Sequence, residues 1–208
     1  PFALLVPATF PMLLASPEDM YFRWPIATFL RILRYGTALL SLILPSLYVA
    51  LTSFHLGMLP TNLALSLAAT REAVPFAAFL EAFVMEIILE VLREAGLRLP
   101  SPIGQTIGIV GAIIVGDAAV QANLVSPIMV VVVAATAIAS FAIPTYGFAS
   151  ALRLLRFALL VAAATAGLFG VMMGLLAILA HMSIIKSFGV PYLAPLAPFS
   201  PSDQGDVW

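Results

Sequence analysis

Long apolar blocks separated by short polar or proline-rich turns dominate the pattern of hydrophobic and polar positions along this chain. About 20 helical residues are needed to cross a bilayer core about 30 Å thick, and Pro and Gly clusters mark the breaks between the blocks. The pattern predicts an all-α fold, a polytopic transmembrane helical bundle of about four spans plus one acidic amphipathic or re-entrant helix. The four predicted spans are residues 29–51, 103–121, 128–143 and 151–181.

The last block is longer than one crossing requires. Residues 151–181 would extend about 46 Å as a straight helix at 1.5 Å per residue. We therefore expect this helix to tilt or to protrude from the bilayer.

The segments that flank the spans have a different character. Prolines prevent a continuous helix in the first 28 residues, and Tyr21, Phe22 and Trp24 suit the headgroup layer. The C-terminal residues are rich in Pro and are predicted to form an extended loop. The predicted units are the end of an upstream soluble domain with an interfacial segment (1–28), a transmembrane domain (29–185) and a C-terminal tail (186–208).

An acidic stripe marks the helix predicted over residues 76–94. Glu86, Glu90 and Glu94 are spaced at i, i+4 and i+8, Arg93 falls on the same side, and Glu81 points elsewhere. At 100° per residue these four side chains cover an arc of roughly 100°. The helix either lies in the interface with this stripe in water or crosses with the stripe facing a wet cavity or pore. The pattern alone leaves both arrangements open.

Small residues recur every four positions in two of the predicted spans. Helices in lipid associate through such residues because they allow close approach of the backbones. The expected packing seams are Gly104, Gly108, Ala112 and Gly116 in one span and Ala162, Ala166, Gly170 and Gly174 in another.

Composition supports a membrane protein and excludes several other classes. Of the 208 residues 62% are hydrophobic and only 9% are charged, whereas soluble domains have about 25% charged residues. The net charge is −1, and no basic patch with interleaved aromatics suggests nucleic-acid binding. The chain contains no cysteine, which excludes disulfides and thiolate metal sites within it.

Candidate chemistry is sparse. His55 and His181 are far apart in sequence, and no enzyme motif is present, so we expect no catalytic residue, no metal and no cofactor. Asp117, with Gln121 one turn further on, is interpreted as an ion-path residue, an interhelical partner or a headgroup-level residue near a turn at Asn123.

Arginines at 23, 31 and 34 place the start of the first span in the cytoplasm by the positive-inside rule. If residues 76–94 cross the bilayer, the tail then ends outside. A cytoplasmic tail requires one re-entrant segment.

Several stretches together resemble the A subunit of spore germinant receptors, the GerA-type family that includes SpoVAF-like members. The resemblance covers nearly the whole chain and is most specific at LREAGLRLPSPIGQTIGIVG (92–111) and KSFGVPYL (186–193). The other matching stretches are SPED (16–19), LRILRY (30–35), LPSLYVALTSFH (44–55), MLPT (58–61), REAVPF (71–76), LVSP (124–127), AIASFAIP (137–144) and LRLLRF (152–157). One departure concerns residues 116–123, where the acid of the family pattern is displaced by one helical turn to Asp117.

The resemblance implies an integral protein of the spore inner membrane. It also implies a homo-oligomeric, nutrient-gated cation channel, with a transporter-like B subunit and a lipoprotein C subunit as partners. We expect Glu86, Glu90 and Asp117 to lie nearest the ion path. The alternatives are a non-conducting scaffold, with the acidic stripe on the membrane surface, a SpoVAF-like accessory protein, or a secondary transporter, for which no internal repeat is found.

Overall fold

A computed structural model describes residues 7–98, 111 and 114–197 of the chain, and within these ranges the protein is mainly helical. This confirms the predicted helical class. The main helices are α1 (Phe10–Leu14), α2 (Trp24–Ser53), α3 (Thr61–Arg71), α4 (Ala78–Arg98), α5 (114–121), α6 (Pro127–Phe141) and α7 (Tyr146–Ile184). Short 3-10 helices occupy Pro17–Tyr21 and Leu56–Met58, and β1 (Lys186–Ser187) pairs antiparallel with β2 (Val190–Pro191).

Helix α2 is the central element of the bundle. Pro25 occupies its first turn, where a missing N–H costs nothing, while Pro45 lies inside the helix and is buried. The buried hydroxyl groups of Ser41 and Ser46 donate hydrogen bonds to carbonyls of their own helix, at 2.9 and 2.8 Å. These polar groups therefore need no partner from another helix.

Helix α7 reverses direction at Gly167, which has φ +60° and ψ −141° and separates two helical arms, 146–166 and 168–184. A Cβ placed on Gly170 would collide with the carbonyl oxygen of Ala162, although eight residues of straight helix are about 12 Å long. The Phe10 ring contacts both Phe148, at 5.6 Å between centroids, and Tyr192, at 6.3 Å. The two ends of α7 therefore lie side by side.

This reversal corrects the expectation of one long, tilted final span. The sequence pattern is continuous because both arms are apolar, and it gives no sign of the turn. Only Gly readily adopts the positive φ that the turn requires. Each arm has about the length of one bilayer crossing, roughly 31 Å for the first and 25 Å for the second.

The two ends of the bundle can be named from these contacts. The terminal end contains residues 7–22 and 185–197, and here Arg34 Nη1 donates to the carbonyl oxygen of Leu14 at 3.4 Å. The Thr145 hydroxyl donates to Leu13 at the same end, at 2.8 Å. The hairpin end contains Gly167 and the segment after α2, since a Cβ on Gly167 would meet His55 Cε1 at 2.9 Å.

Helices α4, α5 and α6 complete the bundle and alternate in direction. Helix α4 starts at the hairpin end and returns to the terminal end, where Arg93 Nη2 donates to Ser140 Oγ near the end of α6. Helix α5 runs the other way, since Gly111 lies against Leu92 whereas Gly116 lies against Val130. Together with α2 and the two arms of α7, the described residues make six helical passes, which bring residues 185–197 back to the end where residues 7–22 lie.

The core lies between α2, α4, α6 and α7. Its members are buried apolar side chains from all four helices, including Val49, Ala82, Met129, Val133 and Leu160. Helix α6 has 15 residues and is capped by Ser126, whose hydroxyl accepts a hydrogen bond from Met129 N–H. The helix therefore begins at Pro127, one residue before the predicted third span, and ends at Phe141, two residues before that span's predicted end.

Two of the described helices are long and apolar enough to cross a membrane, Trp24–Ser53 and Tyr146–Ile184, and the second contains the two arms of α7. The predicted count of about four spans is not established by these lengths. Most of the predicted second span, 103–121, lies outside the described residues.

Candidate functional site

The acidic stripe of α4 runs from the bundle interior at Glu86 to the surface at Glu94, which is exposed. Glu86 is buried, and its Oε2 accepts a hydrogen bond from Arg156 Nη1 at 2.7 Å. Arg156 is only 2% exposed and lies ten residues from each end of the first arm, 146–166. The ion pair therefore sits about midway along the bundle.

Glu90, one helical turn closer to the terminal end, also lies close to arginines. Its carboxylate lies 3.7 Å from Arg153 Nε and 3.8 Å from Arg93 Nη1, and its side chain is 44% exposed. Arg93 also donates to the buried Ser140 hydroxyl at 3.0 Å. We call Glu86, Glu90, Arg93, Arg153 and Arg156 the arginine cluster.

Aromatic rings and a hydroxyl group fix the two outer arginines of the cluster. The Arg93 guanidinium lies over the Phe141 ring, 5.3 Å from its centroid, and Arg153 lies over Tyr146 at 5.4 Å. Arg153 Nη2 also donates to Ser150 Oγ at 2.6 Å. Such cation–π contacts contribute about 0.5–1 kcal/mol when exposed and more when desolvated.

The arginine cluster has a net positive formal charge. Two carboxylates face three guanidinium groups, so the formal charge of the five side chains is +1. The negative charges of Glu86 and Glu90 are thus compensated within the chain by Arg156, Arg153 and Arg93. The cluster joins α4 to the first arm of α7 and, through Ser140, to α6.

Asp117, the third predicted ion-path residue, lies apart from this cluster. It is exposed, and its Oδ2 accepts a hydrogen bond from Gln121 Nε2 at 2.6 Å. The adjacent Gly116 is buried and faces α6. A Cβ added to Gly116 would lie 3.3 Å from Val130 Cγ1, in the first turns of that helix. The carboxylate is therefore on the outer face of α5, inward from the hairpin end.

The predicted seams are only partly described. Gly104, Gly108 and Ala112 lie outside the residues whose side chains the structure describes, whereas Gly116 packs against α6. In α7 the reversal brings the small residues of the second seam from the two arms against each other. Gly170 lies against Ala162, and a Cβ on Gly174 would meet Leu159 Cδ2 at 2.5 Å, so these small residues allow the two arms to pack together.

Glu81 belongs to a second buried network, which the sequence did not predict. It is 1% exposed, lies 3.1 Å from Arg71 Nη2, and accepts a hydrogen bond from Ser126 N–H at 2.9 Å. The Tyr48 hydroxyl lies 3.4 Å from Ser126 Oγ. The available signal was that Glu81 shares the face of Ala78 and Ala82, both buried, rather than the face of the acidic stripe.

Asp19 anchors a third network, at the terminal end. It is 2% exposed and forms a two-pronged ion pair with Arg34, one contact being Nη2–Oδ1 at 2.7 Å. Arg31 Nε lies 3.7 Å away, and the Asp19 carboxylate also accepts a hydrogen bond from Ser16 N–H. The hydrogen bonds from Arg34 lower the pKa of Asp19 below its ordinary value of 3.8, against an opposing effect of burial.

Within residues 7–98 and 114–197, no group of three or more His, Asp or Glu side chains could hold a metal ion. His55 Nδ1 lies 3.4 Å from the Ala50 carbonyl oxygen at the end of α2.

Comparisons with known proteins identify the family. The model of the family described as Bacillus/Clostridium GerA spore germination protein matches residues 1–208. The chain belongs to this family. It is 50% identical over 207 residues to spore germination protein KA of Bacillus subtilis, covering 100% of this chain and 38% of that protein.

Other members are similarly close. Spore germination protein A1 of Bacillus subtilis is 48% identical over 206 residues, with 99% of this chain and 43% of that protein covered. YfkQ of Bacillus subtilis, described as an uncharacterized membrane protein, is 45% identical over 208 residues. The match covers 100% of this chain and 40% of YfkQ. The chain thus spans about two fifths of the length of these GerA relatives. No solved structure matches the chain.

Proposed function

We propose that this GerA-family chain is the membrane region of a germinant receptor subunit in the spore inner membrane. Several copies assemble into a nutrient-gated cation channel, which has no enzymatic activity. The nutrient signal comes from a transporter-like B subunit and a lipoprotein C subunit. The names of the relatives and the family match support a role in spore germination, and the physical arguments below support the channel.

The distribution of basic residues supports one orientation. Of the nine Lys and Arg residues, only Arg71 belongs to the hairpin end, and Arg156 lies at mid-depth. Cytoplasmic flanks carry an excess of Lys and Arg, so the terminal end faces the cytoplasm. The basic residues towards that end are Arg23, Arg31, Arg34, Arg93, Arg98, Arg153 and Lys186.

The observation that carries the proposal is the exposed Asp117–Gln121 pair on α5. A carboxylate in a transmembrane helix is costly in contact with hydrocarbon, by up to about 2.5–3.5 kcal/mol at the helix centre on insertion scales, so such groups face a bundle interior or a water-filled cavity. Asp117 is on the outside of the single chain. Asp117 lies one helical turn before the end of α5, and the proposal places the polar space beside it between copies of the chain, as in an oligomeric pore.

Among the three predicted ion-path residues, Asp117 is the strongest candidate for attracting cations. Glu86 and Glu90 are each within 4 Å of an arginine, whereas the described partner of Asp117 is the neutral Gln121. We therefore assign selectivity to Asp117 and a structural role to Glu86.

Reconstitution of the full-length receptor with its partner subunits in liposomes tests this proposal. Asp117→Asn should lower cation flux or cation-over-anion selectivity by about tenfold, because rings of carboxylates set cation selectivity in pores. Glu18→Gln is the matched control, since Glu18 is exposed but lies at the terminal end before α2. Unchanged selectivity in Asp117→Asn would remove Asp117 from the path, and zero flux in the assembled wild type would favour a scaffold.

A further inference from the structure

The arginine cluster contains buried polar atoms that the described residues do not satisfy. Glu86 Oε1, Arg153 Nε, Arg156 Nε and Arg156 Nη2 are buried and have no hydrogen-bond partner among the described residues. Leaving a buried donor or acceptor unpaired costs about 1–3 kcal/mol, and more for a charged group. Four such atoms in one cluster therefore require a source of both donors and acceptors.

A groove on the bundle surface leads to this cluster. It encloses about 580 Å³ between α4 and the first arm of α7 and is lined by Ile87, Glu90, Val91, Glu94, Ala95 and Phe157. Glu90 belongs to both the groove and the cluster, because its carboxylate is 3.7 Å from Arg153 Nε. One side chain, Glu90, thus separates the groove from Arg153 Nε, and Arg156 lies further inside the bundle beside Glu86.

Four of the six side chains that line the groove are apolar, but lipid acyl chains do not suit its carboxylates or the buried polar atoms behind them. The Glu90 side chain is 44% exposed there, and contact between a carboxylate and hydrocarbon carries the same cost of about 2.5–3.5 kcal/mol. Acyl chains also offer neither donors to Glu86 Oε1 nor acceptors to Arg156. Water supplies both, and ordered waters commonly satisfy buried polar groups in this way.

We propose that the groove between α4 and the first arm of α7 is a water-filled crevice that hydrates the arginine cluster from the terminal end. Water enters beside Glu94, passes Glu90 and reaches the guanidinium groups of Arg153 and Arg156. The ligand class is water, together with small hydrated ions that follow it. The crevice does not depend on ion conduction, because the unsatisfied atoms need hydration in a channel and in a scaffold alike.

Cysteine accessibility tests the crevice directly, since the chain has no native cysteine. Val91→Cys places a thiol on the groove, where Val91 is 63% exposed. Ile138→Cys is the control: Ile138 is 69% exposed on α6 and lies at the same depth, because Arg93 and Ser140, two residues further along each helix, are hydrogen-bonded. Lys186→Cys at the terminal end marks full access to water.

The measurement is the rate of modification by a charged, membrane-impermeant thiosulfonate in vesicles that expose the terminal end, using the full-length protein with any other cysteines replaced. Thiolates form in water and not in hydrocarbon, so Val91→Cys should react within about tenfold of Lys186→Cys and at least about tenfold faster than Ile138→Cys. The proposal is overturned if Val91→Cys reacts more than about tenfold more slowly than Lys186→Cys. It is also overturned if Val91→Cys reacts less than about tenfold faster than Ile138→Cys.

A second groove variant guards against local misfolding. Ile87→Cys lies one turn from Val91 on the same wall and is 42% exposed, and it should show the same reactivity. Ion flux measured on the same vesicles keeps the crevice and the channel separate, because a reactive Val91→Cys without flux supports the first and contradicts the second.

Discussion

The Asp19 carboxylate holds the segment before α2 against that helix. It is buried between Arg31 and Arg34 and also accepts the N–H of Ser16, so one side chain fixes both the 3-10 helix and its approach to α2. Charge-assisted, two-pronged pairs of this kind are stronger than single hydrogen bonds. The stability of this end of the bundle should therefore depend on the ionisation of one residue.

Asp19→Asn should lower the free energy of unfolding by about 3 kcal/mol near neutral pH, because it leaves two arginines without their buried anion. The pKa of Asp19 is lowered in the folded chain, so this stabilisation is fully present above the unfolded pKa of about 3.9 and is lost as pH falls through the folded pKa. Thermal unfolding of the purified protein from pH 7 to pH 3 measures both effects.

The control for Asp19 is its neighbour in the same turn. Glu18 is exposed, and Glu18→Gln should leave the melting temperature within about 1 °C of the wild type, since surface substitutions usually change stability by less than about 0.5 kcal/mol. Equal melting temperatures for wild type and Asp19→Asn at pH 7 would contradict the assigned role.

At the scale of elements, the reversal within α7 depends on the backbone of one residue. Gly167 has φ +60°, and an added Cβ would lie 2.9 Å from His55 Cε1 and 3.0 Å from Phe54 Cβ. Gly167→Ala should therefore destabilise the protein by about 1–3 kcal/mol through backbone strain and crowding.

Gly147→Ala is the matched control for this substitution. Gly147 begins the same helix, and a Cβ there meets nothing within 4 Å, so the change should be neutral or stabilising, since Ala has the higher helix propensity. Melting temperatures of the two variants in detergent measure the difference. A Gly167→Ala protein as stable as Gly147→Ala would mean that the turn does not require glycine.

The sequence predicted the helices better than their arrangement. The acidic periodicity of α4 grouped Glu86, Glu90 and Arg93 on one face, but it could not show that Arg153 and Arg156, sixty to seventy residues later in the chain, neutralise the two carboxylates. Glu81 and Asp19 were missed for the same reason, since each meets an arginine from another element. Periodicity reports one helix at a time, whereas burial of charge depends on which helix lies opposite.

At the scale of the whole molecule, the directions of the described helices favour one of the topologies that the apolar blocks alone left open. The extra pass created by the α7 reversal allows α4 to traverse the bundle while the tail still returns to the terminal end. No re-entrant segment is then needed to place both the first arginines and the tail in the cytoplasm.

Single cysteines at the two ends test this topology. In right-side-out vesicles an impermeant thiol reagent should modify Asn62→Cys, at the exposed start of α3, and should leave Lys186→Cys unmodified until the membrane is opened. Inverted vesicles should give the opposite result, which controls for intrinsic thiol reactivity. Labelling of both positions from the same side would require an even number of crossings between them and would contradict the arrangement proposed here, in which five passes separate Asn62 from Lys186.

The fold-back of α7 also bears on how the chain enters the membrane during synthesis. Two apolar arms joined at a single glycine can insert together as a hairpin, with the turn at residue 167 leading and both outer ends held back. The stretch after Ile184, where the Tyr192 carbonyl oxygen accepts a hydrogen bond from Phe10 N–H, would then stay on the side from which the hairpin entered, beside the segment that it contacts.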